Sequence, residues 1–146
     1  AGELKSKPTQ HSVKELREIG LQPDFLICRT ELEMDEGIKN KLALFCSVDK
    51  KHVIGAADSN FIYEVPVKLY NEKLDQLICQ QLGLKWKKPN LNAWKKIVTT
   101  LYKPKHEVNI AVVGKYVDLK ESYKSLNESL VHGAIANSCR ANIIYI

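Results

Sequence analysis

The 146-residue chain is 45% apolar and carries 22 Lys and Arg residues against 17 Asp and Glu residues, which leaves a net charge of +5. This composition is that of a globular protein, and the chain has no run long enough to span a bilayer and no signal peptide. We therefore predict a cytoplasmic protein with no membrane partner. The positive charge favours anionic partners, such as nucleotides, nucleic acid or acidic surfaces, without choosing among them.

The four cysteines lie singly among apolar neighbours, with no C-x-x-C pair and no His at ligand spacing. They are Cys28, Cys46, Cys79 and Cys139. This pattern predicts reduced thiols in a cytosolic protein core and no metal site within the chain.

Helical and extended patterns alternate in the first part of the chain. A capping box at Ser12 and Glu15 predicts a helix that begins at Ser12 and ends at Gly20. The continuous apolar runs 25–28 and 52–56 are typical of strands buried on both faces. The chain between these runs predicts a helix with an apolar face of Ile38, Leu42 and Phe45.

Helices dominate the middle of the chain. Pro66 can open a helical turn, and the apolar pattern of residues 74–81 predicts a helix that ends at Gly83. A basic break that contains a proline then leads to Asn90, which can cap a helix with Trp94 on its apolar face.

The pattern changes after the polar stretch 103–107 (KPKHE), which we interpret as a linker. Residues 108–114 predict a strand, Ser122 begins a predicted helix, and residues 142–146 predict a second strand. This order indicates the first βαβ unit of a new domain. Because the chain does not begin with Met and stops inside an apolar run, we expect both ends to be cuts.

The segment Lys5 to Gln10 (KSKPTQ) combines two lysines, two hydroxyls and an amide just before a predicted helix. Free N–H groups and the helix dipole favour an anion at such a position, and Pro8 stiffens the segment. The residues alone nevertheless favour a solvated chain end before an ordinary helix, because the segment is not a Walker loop.

The run GELKSKPTQHSV at residues 2–13 resembles a signature of the CTP synthase family, and the similarity continues along nearly the whole chain. Further similar segments are LQPDFLICR (21–29), KLALFC (41–46), IYEVP (62–66), VVGKY (112–116) and SYKSLNESLVHG (122–133). The resemblance is weakest over residues 31–40 and 71–106.

The resemblance implies an enzyme that makes CTP from UTP. In this family ATP phosphorylates the uracil 4-oxygen, ammonia displaces the phosphate, and a C-terminal glutaminase domain supplies the ammonia from glutamine. It therefore implies ATP and Mg²⁺ as cofactors, UTP, CTP and glutamine as partners, and a homotetramer. The P-loop and the magnesium carboxylates would lie before Ala1 and the glutaminase triad after Ile146, so we expect no catalytic residue and no metal ligand here, and no activity from this piece alone.

The resemblance also assigns binding residues to this chain. The residues implied for the triphosphate of UTP, or of CTP as inhibitor, are Lys5, Ser6, Lys7, Pro8, Thr9, Gln10 and Lys41. The family builds this site across subunits. By spacing alone, Lys41 is better explained as a surface lysine on an amphipathic helix.

Two further segments receive implied roles. Asp58 and Ser59 correspond to residues near the ATP adenine, but Ala57 stands where the family usually carries a basic residue. The residues alone explain Asp58 equally well as a loop Asp that closes a turn. Lys115 and Tyr116 correspond to the interface between the synthetase and glutaminase domains.

The predicted fold class is α/β. Residues 1–89 are predicted to end a P-loop or Rossmann-like synthetase domain with a parallel sheet. Residues 90–107 are predicted to form a helix and an interdomain linker, and residues 108–146 the incomplete start of a class I glutaminase domain.

Two alternatives stay open. The lysines between Lys85 and Lys105, interleaved with Trp86 and Trp94, would suit a basic nucleic-acid binding module. Against this, Trp94 shares a helical stripe with Ile97, which indicates a core position. A binding-only scaffold derived from the enzyme is the second alternative.

Overall fold

A computed structural model describes residues 4–146, which divide into two compact units between Pro89 and Asn90. Unit 1 runs to Pro89 and unit 2 is Asn90–Ile146. Each unit contains one pair of parallel strands, so the fold belongs to the predicted α/β class. No helix within residues 4–146 has the length and apolar character needed to cross a membrane.

Unit 1 alternates helices and strands. Its regular elements are α1 (Lys7–Glu18), β1 (Leu26–Thr30), α2 (Glu36–Cys46), β2 (Val53–Ala57), α3 (Val65–Asn71) and α4 (Leu74–Gln81). β1 and β2 pair in parallel, with Leu26 opposite Val53 and Thr30 opposite Ala57. The carboxyl ends of the two strands therefore lie side by side.

The core of unit 1 forms where α1 and α2 pack on one face of this strand pair. Its buried members are Val13, Leu26, Cys28, Leu42, Cys46, Val48 and Val53. β2 is buried along most of its length, because α2 and α3 both pack against it. β1 alternates between buried and exposed side chains, so that Ile27 and Arg29 face outward.

Unit 2 is a βαβ unit with one additional helix. Its elements are α5 (Asn92–Tyr102), β3 (His106–Val112), α6 (Lys124–Ala136) and β4 (Cys139–Tyr145). β3 and β4 are parallel, with Val112 opposite Tyr145, and α5 packs against α6 and β4. Within the described residues of this unit only Val112 and Ala134 are buried, and neither completely.

The first predicted helix start was wrong. α1 begins at Lys7 with Ser6 as its N-cap, so most of the Lys5–Gln10 segment forms the first helical turn and only Lys5 precedes it. Ser12 is inside the helix, where its hydroxyl donates to the carbonyl of Pro8 at 3.2 Å. The predicted end is confirmed: Gly20 has φ +85° and its N–H donates to the Arg17 carbonyl.

Other boundaries and core positions shift as well. Phe45, predicted on the apolar face of α2, is 56% exposed because Cys46 takes the buried position. Residues 106–107, predicted as linker, belong to β3. Asn90 lies one residue before the N-cap position, which Leu91 occupies, although its Oδ1 accepts from the N–H of Asn92. Trp94 remains 36% exposed rather than core.

Candidate functional site

Polar side chains of the Lys5–Gln10 segment form hydrogen bonds that stabilise the start of α1. Ser6 occupies the N-cap position of α1 and is only 5% exposed. The Gln10 Nε2 donates to Ser6 Oγ at 3.1 Å, and the Gln10 N–H donates to the Ser6 carbonyl at 3.1 Å. Pro8 lies in the first turn, where no N–H partner is needed. Lys5 and Lys7 are therefore free to project into solvent from an ordered turn.

The same turn lies beside the strand pair at Thr9. The side chains of Thr9 and of Cys28 in β1 line one groove. Burial raises the pKa of the Cys28 thiol, and nearby Cys46 adds to the rise, while the Thr9 side chain opposes it. Pro8 and Thr9 line a groove of about 450 Å³ along β1 that ends at Arg29.

Lys41 lies exposed on α2, which packs beside α1. The carboxyl ends of these helices are joined, because the Arg17 guanidinium and the Gln22 amide both donate to the carbonyl of Cys46. The fold thus brings the two predicted parts of the triphosphate site onto neighbouring helices. No hydrogen bond among the described residues connects Lys41 directly to Lys5–Gln10. The signature's Gly2 lies outside the described residues.

A second pocket, of about 460 Å³, opens at the carboxyl ends of β1 and β2. In parallel α/β sheets this edge is the usual position for ligands. Its charged rim is an ion pair in which Arg29 Nε donates to Asp58 Oδ1 at 2.8 Å. The hydrogen bond to this carboxylate, with its charge, raises the pKa of Arg29. We call this space the strand-end pocket.

The other walls of the strand-end pocket come from α3 and the turn before it. Ile62, Val65 and Leu69 supply apolar surface. Lys68 reaches back to the end of β2, where its Nζ donates to the carbonyls of Asp58 at 2.9 Å and Ala57 at 3.2 Å. The hydroxyl of Ser59 is buried and has no hydrogen-bond partner among the described residues. A buried hydroxyl without a partner costs about 1–3 kcal/mol, which is tolerated most readily at a binding site.

Sequence reasoning identified Asp58 and Ser59 but missed Arg29 and Lys68. Arg29 lines both the groove beside Thr9 and the strand-end pocket, so it connects the two predicted nucleotide regions. Its signal was available, because it directly follows the apolar run 25–28 and therefore lies near the carboxyl end of a buried strand. Lys68 gave no signal, since its role depends on how α3 packs against β2.

Lys115 and Tyr116 lie in an exposed turn directly after β3. Tyr116 has φ +58°, and the Tyr123 hydroxyl donates to the carbonyl of Lys115. The N–H of Gly114 donates to the carbonyl of Ile146 at 3.3 Å, which continues the β3–β4 pairing. The turn is therefore ordered from within unit 2.

Metal ligation and aromatic stacking by Trp86 were compared with the described residues. No three His, Cys, Asp or Glu side chains in the described part of the chain converge as metal ligands. Trp86 is partly buried, and its indole N–H donates to Asp75 Oδ2 at 2.7 Å, which ties the ring to α4 instead of leaving it available for bases.

The parallel strand pairs and the polar groups gathered at the carboxyl ends of β1 and β2 define an α/β protein with a candidate ligand site at the strand ends. Comparison with known families is consistent with this class: residues 1–84 match the model of the CTP synthase N-terminus. The chain belongs to this family.

Curated relatives match the chain over its full length. It is 64% identical over 146 residues to the CTP synthase of Bdellovibrio bacteriovorus and 56% identical over 144 residues to that of Aquifex aeolicus. The chain spans 27% of the length of each of these relatives. It is thus homologous to about a quarter of the length of these enzymes.

Proposed function

We propose that this chain is part of a CTP synthase that makes CTP from UTP, ATP and glutamine-derived ammonia through a 4-phosphorylated UTP intermediate. The observation that carries the proposal is the high identity to CTP synthases along all 146 residues. The isolated chain is proposed to be inactive, and its contribution is the recognition of nucleotides.

The triphosphate of UTP, or of CTP as inhibitor, is proposed to bind at the start of α1. Free N–H groups of a first helical turn attract anions, and the exposed ammonium groups of Lys5 and Lys7 add positive charge. Ser6 and Gln10 keep the turn in shape through their mutual hydrogen bond. Lys41 on the neighbouring helix supplies a further charge for the same phosphates, and Pro8 and Thr9 complete the segment.

The strand-end pocket is proposed to receive part of ATP. Its apolar wall suits a purine ring, and Asp58 with Ser59 supplies polar groups beside it. The magnesium ion that accompanies ATP would be bound by carboxylates elsewhere in the longer protein, since residues 4–146 contain no such ligand cluster.

The proposal includes an architecture for the longer protein. Residues 1–89 would complete a synthetase domain with a P-loop or Rossmann-like parallel sheet. Residues 90–107 would connect it to a class I glutaminase domain that begins at 108–146, and the parallel β3–α6–β4 unit supports such a start. Lys115 and Tyr116 would lie at the interface of the two domains. A cytoplasmic homotetramer with glutamine as amido donor completes the proposal.

The test uses the full-length protein with Lys5→Ala or Lys41→Ala. Loss of one charged hydrogen bond to phosphate corresponds to about a tenfold to hundredfold change in binding. We expect the KM for UTP to rise, and CTP inhibition to weaken, by that factor. Lys14→Ala is the matched control, because Lys14 is an exposed lysine of α1 that pairs with Glu18.

An unchanged KM for UTP together with unchanged CTP inhibition would remove the triphosphate assignment. A full-length protein that binds UTP but forms no CTP from UTP, ATP and glutamine would instead be a binding scaffold derived from the enzyme. Formation of CTP by the 146-residue chain alone would contradict the proposal that the isolated chain is inactive.

A further inference from the structure

Lys68 is a partly buried lysine whose head group lies at the end of β2. It comes from α3, and its Nζ lies 2.9 Å from the Asp58 carbonyl and 3.2 Å from the Ala57 carbonyl. An ammonium has three N–H donors, so these two carbonyls leave one donor. Lys68 also lines the strand-end pocket, where that donor can meet a ligand.

The carboxylates around Lys68 have other cations. Asp58 pairs with Arg29 at 2.8 Å, and Glu72 pairs with Lys39 at 2.7 Å. Glu33, which lines a neighbouring pocket together with Lys68, forms no ion pair with it. No salt bridge among the described residues therefore involves Lys68. A partly buried ammonium with an unused N–H donor favours a ligand with negative charge or strong acceptor atoms.

Lys68 contacts the backbone of Asp58 and of Ala57 at the end of β2. The side chain of Ala57, which also lines the pocket, is only a methyl group. The ammonium of Lys68 instead arrives at the same strand end from α3. A positive group is therefore present in the strand-end pocket, although it comes from a residue eleven positions further along the chain.

We infer that Lys68 is a nucleotide-binding residue of the strand-end pocket and supplies the basic group that position 57 lacks. This inference rests on the proposed binding of ATP there. Lys68 holds its position through the two carbonyls and donates its remaining N–H to an acceptor atom of the bound nucleotide. The carbonyl contacts fix the ammonium before the ligand arrives, which reduces the entropy lost on binding.

The experiment measures binding of the non-hydrolysable analogue AMP-PNP to the full-length protein by calorimetry, with magnesium present. Lys68→Met keeps the length and apolar character of the stem and removes the charge. We expect its affinity for AMP-PNP to fall at least about tenfold, which is the value of one charge-assisted hydrogen bond. Its affinity for CTP should stay within about twofold, because CTP is proposed to bind at α1.

Lys68→Arg and Lys68→Gln separate the charge of the side chain from its hydrogen bonds to the strand end. Arginine keeps the cation, whereas glutamine keeps an N–H donor without the charge, so we expect most of the AMP-PNP affinity to be kept in Lys68→Arg and lost in Lys68→Gln. Lys14→Met, on the exposed face of α1, is the matched control and should bind AMP-PNP like the unmutated protein.

AMP-PNP affinity unchanged in Lys68→Met would overturn the inference, and so would equal losses in Lys68→Arg and Lys68→Gln. If Lys68→Met fails to fold, Lys68→Gln decides the question. A fall of about threefold or more in its AMP-PNP affinity supports the inference, and a smaller change overturns it. An unmutated protein that binds CTP but not AMP-PNP would overturn the proposed ATP function itself.

Discussion

The two parallel strand pairs differ in how completely helices cover them. In unit 1 β2 is packed by α2 and α3 and is buried along most of its length, and Ile54 is only 1% exposed. In unit 2 the isoleucine Ile144 of β4 is 50% exposed, and Val108 of β3 is also exposed. Parallel sheets are normally covered on both faces. Unit 1 therefore carries a core of its own, whereas unit 2 shows a strand surface still suited to burial.

This difference also explains where the candidate sites lie. The Ser6–Gln10 turn lies beside β1, where Thr9 and Cys28 line one groove, and Lys68 of the strand-end pocket donates to the carbonyl at the end of β2. Both therefore rest on the well-packed unit, and a rigid support is what precise recognition of a nucleotide requires. The Lys115 turn of unit 2 rests mainly on Tyr123.

The sharpest test of the comparison replaces one isoleucine in each unit. Ile54→Ala should lower the free energy of unfolding of its unit by about 2–5 kcal/mol, because it leaves a cavity in a packed core. Ile144→Ala is the matched change at a half-exposed strand position and should cost about 1 kcal/mol or less. Urea unfolding of the 146-residue chain, followed by residue-resolved NMR, measures both. Equal losses would show that the two strand pairs are equally packed.

The second prediction concerns the turn of unit 2. A Cβ at Gly114 would overlap the Tyr123 hydroxyl, which already binds the Lys115 carbonyl, so Gly114→Ala should destabilise unit 2 by about 1–3 kcal/mol. Gly133→Ala is the control within α6: no atom lies within 4 Å of its added Cβ. It should stabilise by about 0.5–1 kcal/mol. If Gly114→Ala leaves the thermal stability of unit 2 unchanged, Tyr123 does not order this turn.

The third prediction uses the start of α2. The Asp35 Oδ1 accepts from the N–H of Ile38 at 2.8 Å, whereas α6 has no side-chain cap. Asp35→Ala should therefore lower the free energy of unfolding of unit 1, measured by chemical denaturation, by about 1 kcal/mol. Glu33→Ala, an exposed acid two residues earlier, should change the stability by less than about 0.5 kcal/mol. Similar effects of the two substitutions would contradict a capping role.

The smallest expected effect is a dependence on acid that is confined to unit 1. A hydrogen bond from Lys50, with its charge, lowers the pKa of Glu36, and the backbone N–H of Lys51 is the main cause that lowers the pKa of Asp49. Since both pKa values are lower in the folded state, the stabilisation is present above their ordinary values of 4.5 and 3.8 and is lost as the pH falls through the lowered values.

Thermal unfolding between about pH 6 and about pH 3 should therefore show a modest decline in the melting temperature of unit 1. In Lys50→Met the part of this decline that comes from Glu36 should disappear. A pH dependence unaltered by Lys50→Met would assign the decline to other carboxylates. The effect is modest because both acids are fully exposed to solvent.

Local sequence was enough to predict most elements but not their boundaries. The apolar runs 25–28 and 52–56 correctly indicated β1 and β2, displaced by one or two residues. The capping box at Ser12 was misleading, because Ser6 with Pro8 starts the helix earlier and uses the Gln10 side chain to do so. Phe45 was assigned to the core from spacing alone, and the packing of Cys46 and Leu42 turned it outward.

The residues of the candidate sites could also be predicted from the sequence only in part. The motif at Lys5–Gln10, with Lys41, Asp58 and Ser59, was visible in the sequence through its family resemblance, because such motifs are contiguous or characteristic. Arg29 and Lys68 were not, since each matters only through a partner that lies 29 or about ten residues away along the chain. No local pattern encodes a contact of that kind.

The sequence by itself determined that this is an α/β chain of the CTP synthase family with a basic, hydroxyl-rich segment at its start. Hydrophobic periodicity and a specific motif suffice for that, because both are local properties. Only the tertiary structure decided that the segment begins a helix beside β1. It also decided that Asp58 pairs with Arg29 and that Lys68 donates to the carbonyl at the end of β2. Those features arise because the parallel pairing of β1 with β2 and the packing of α3 bring distant residues to one edge of the sheet.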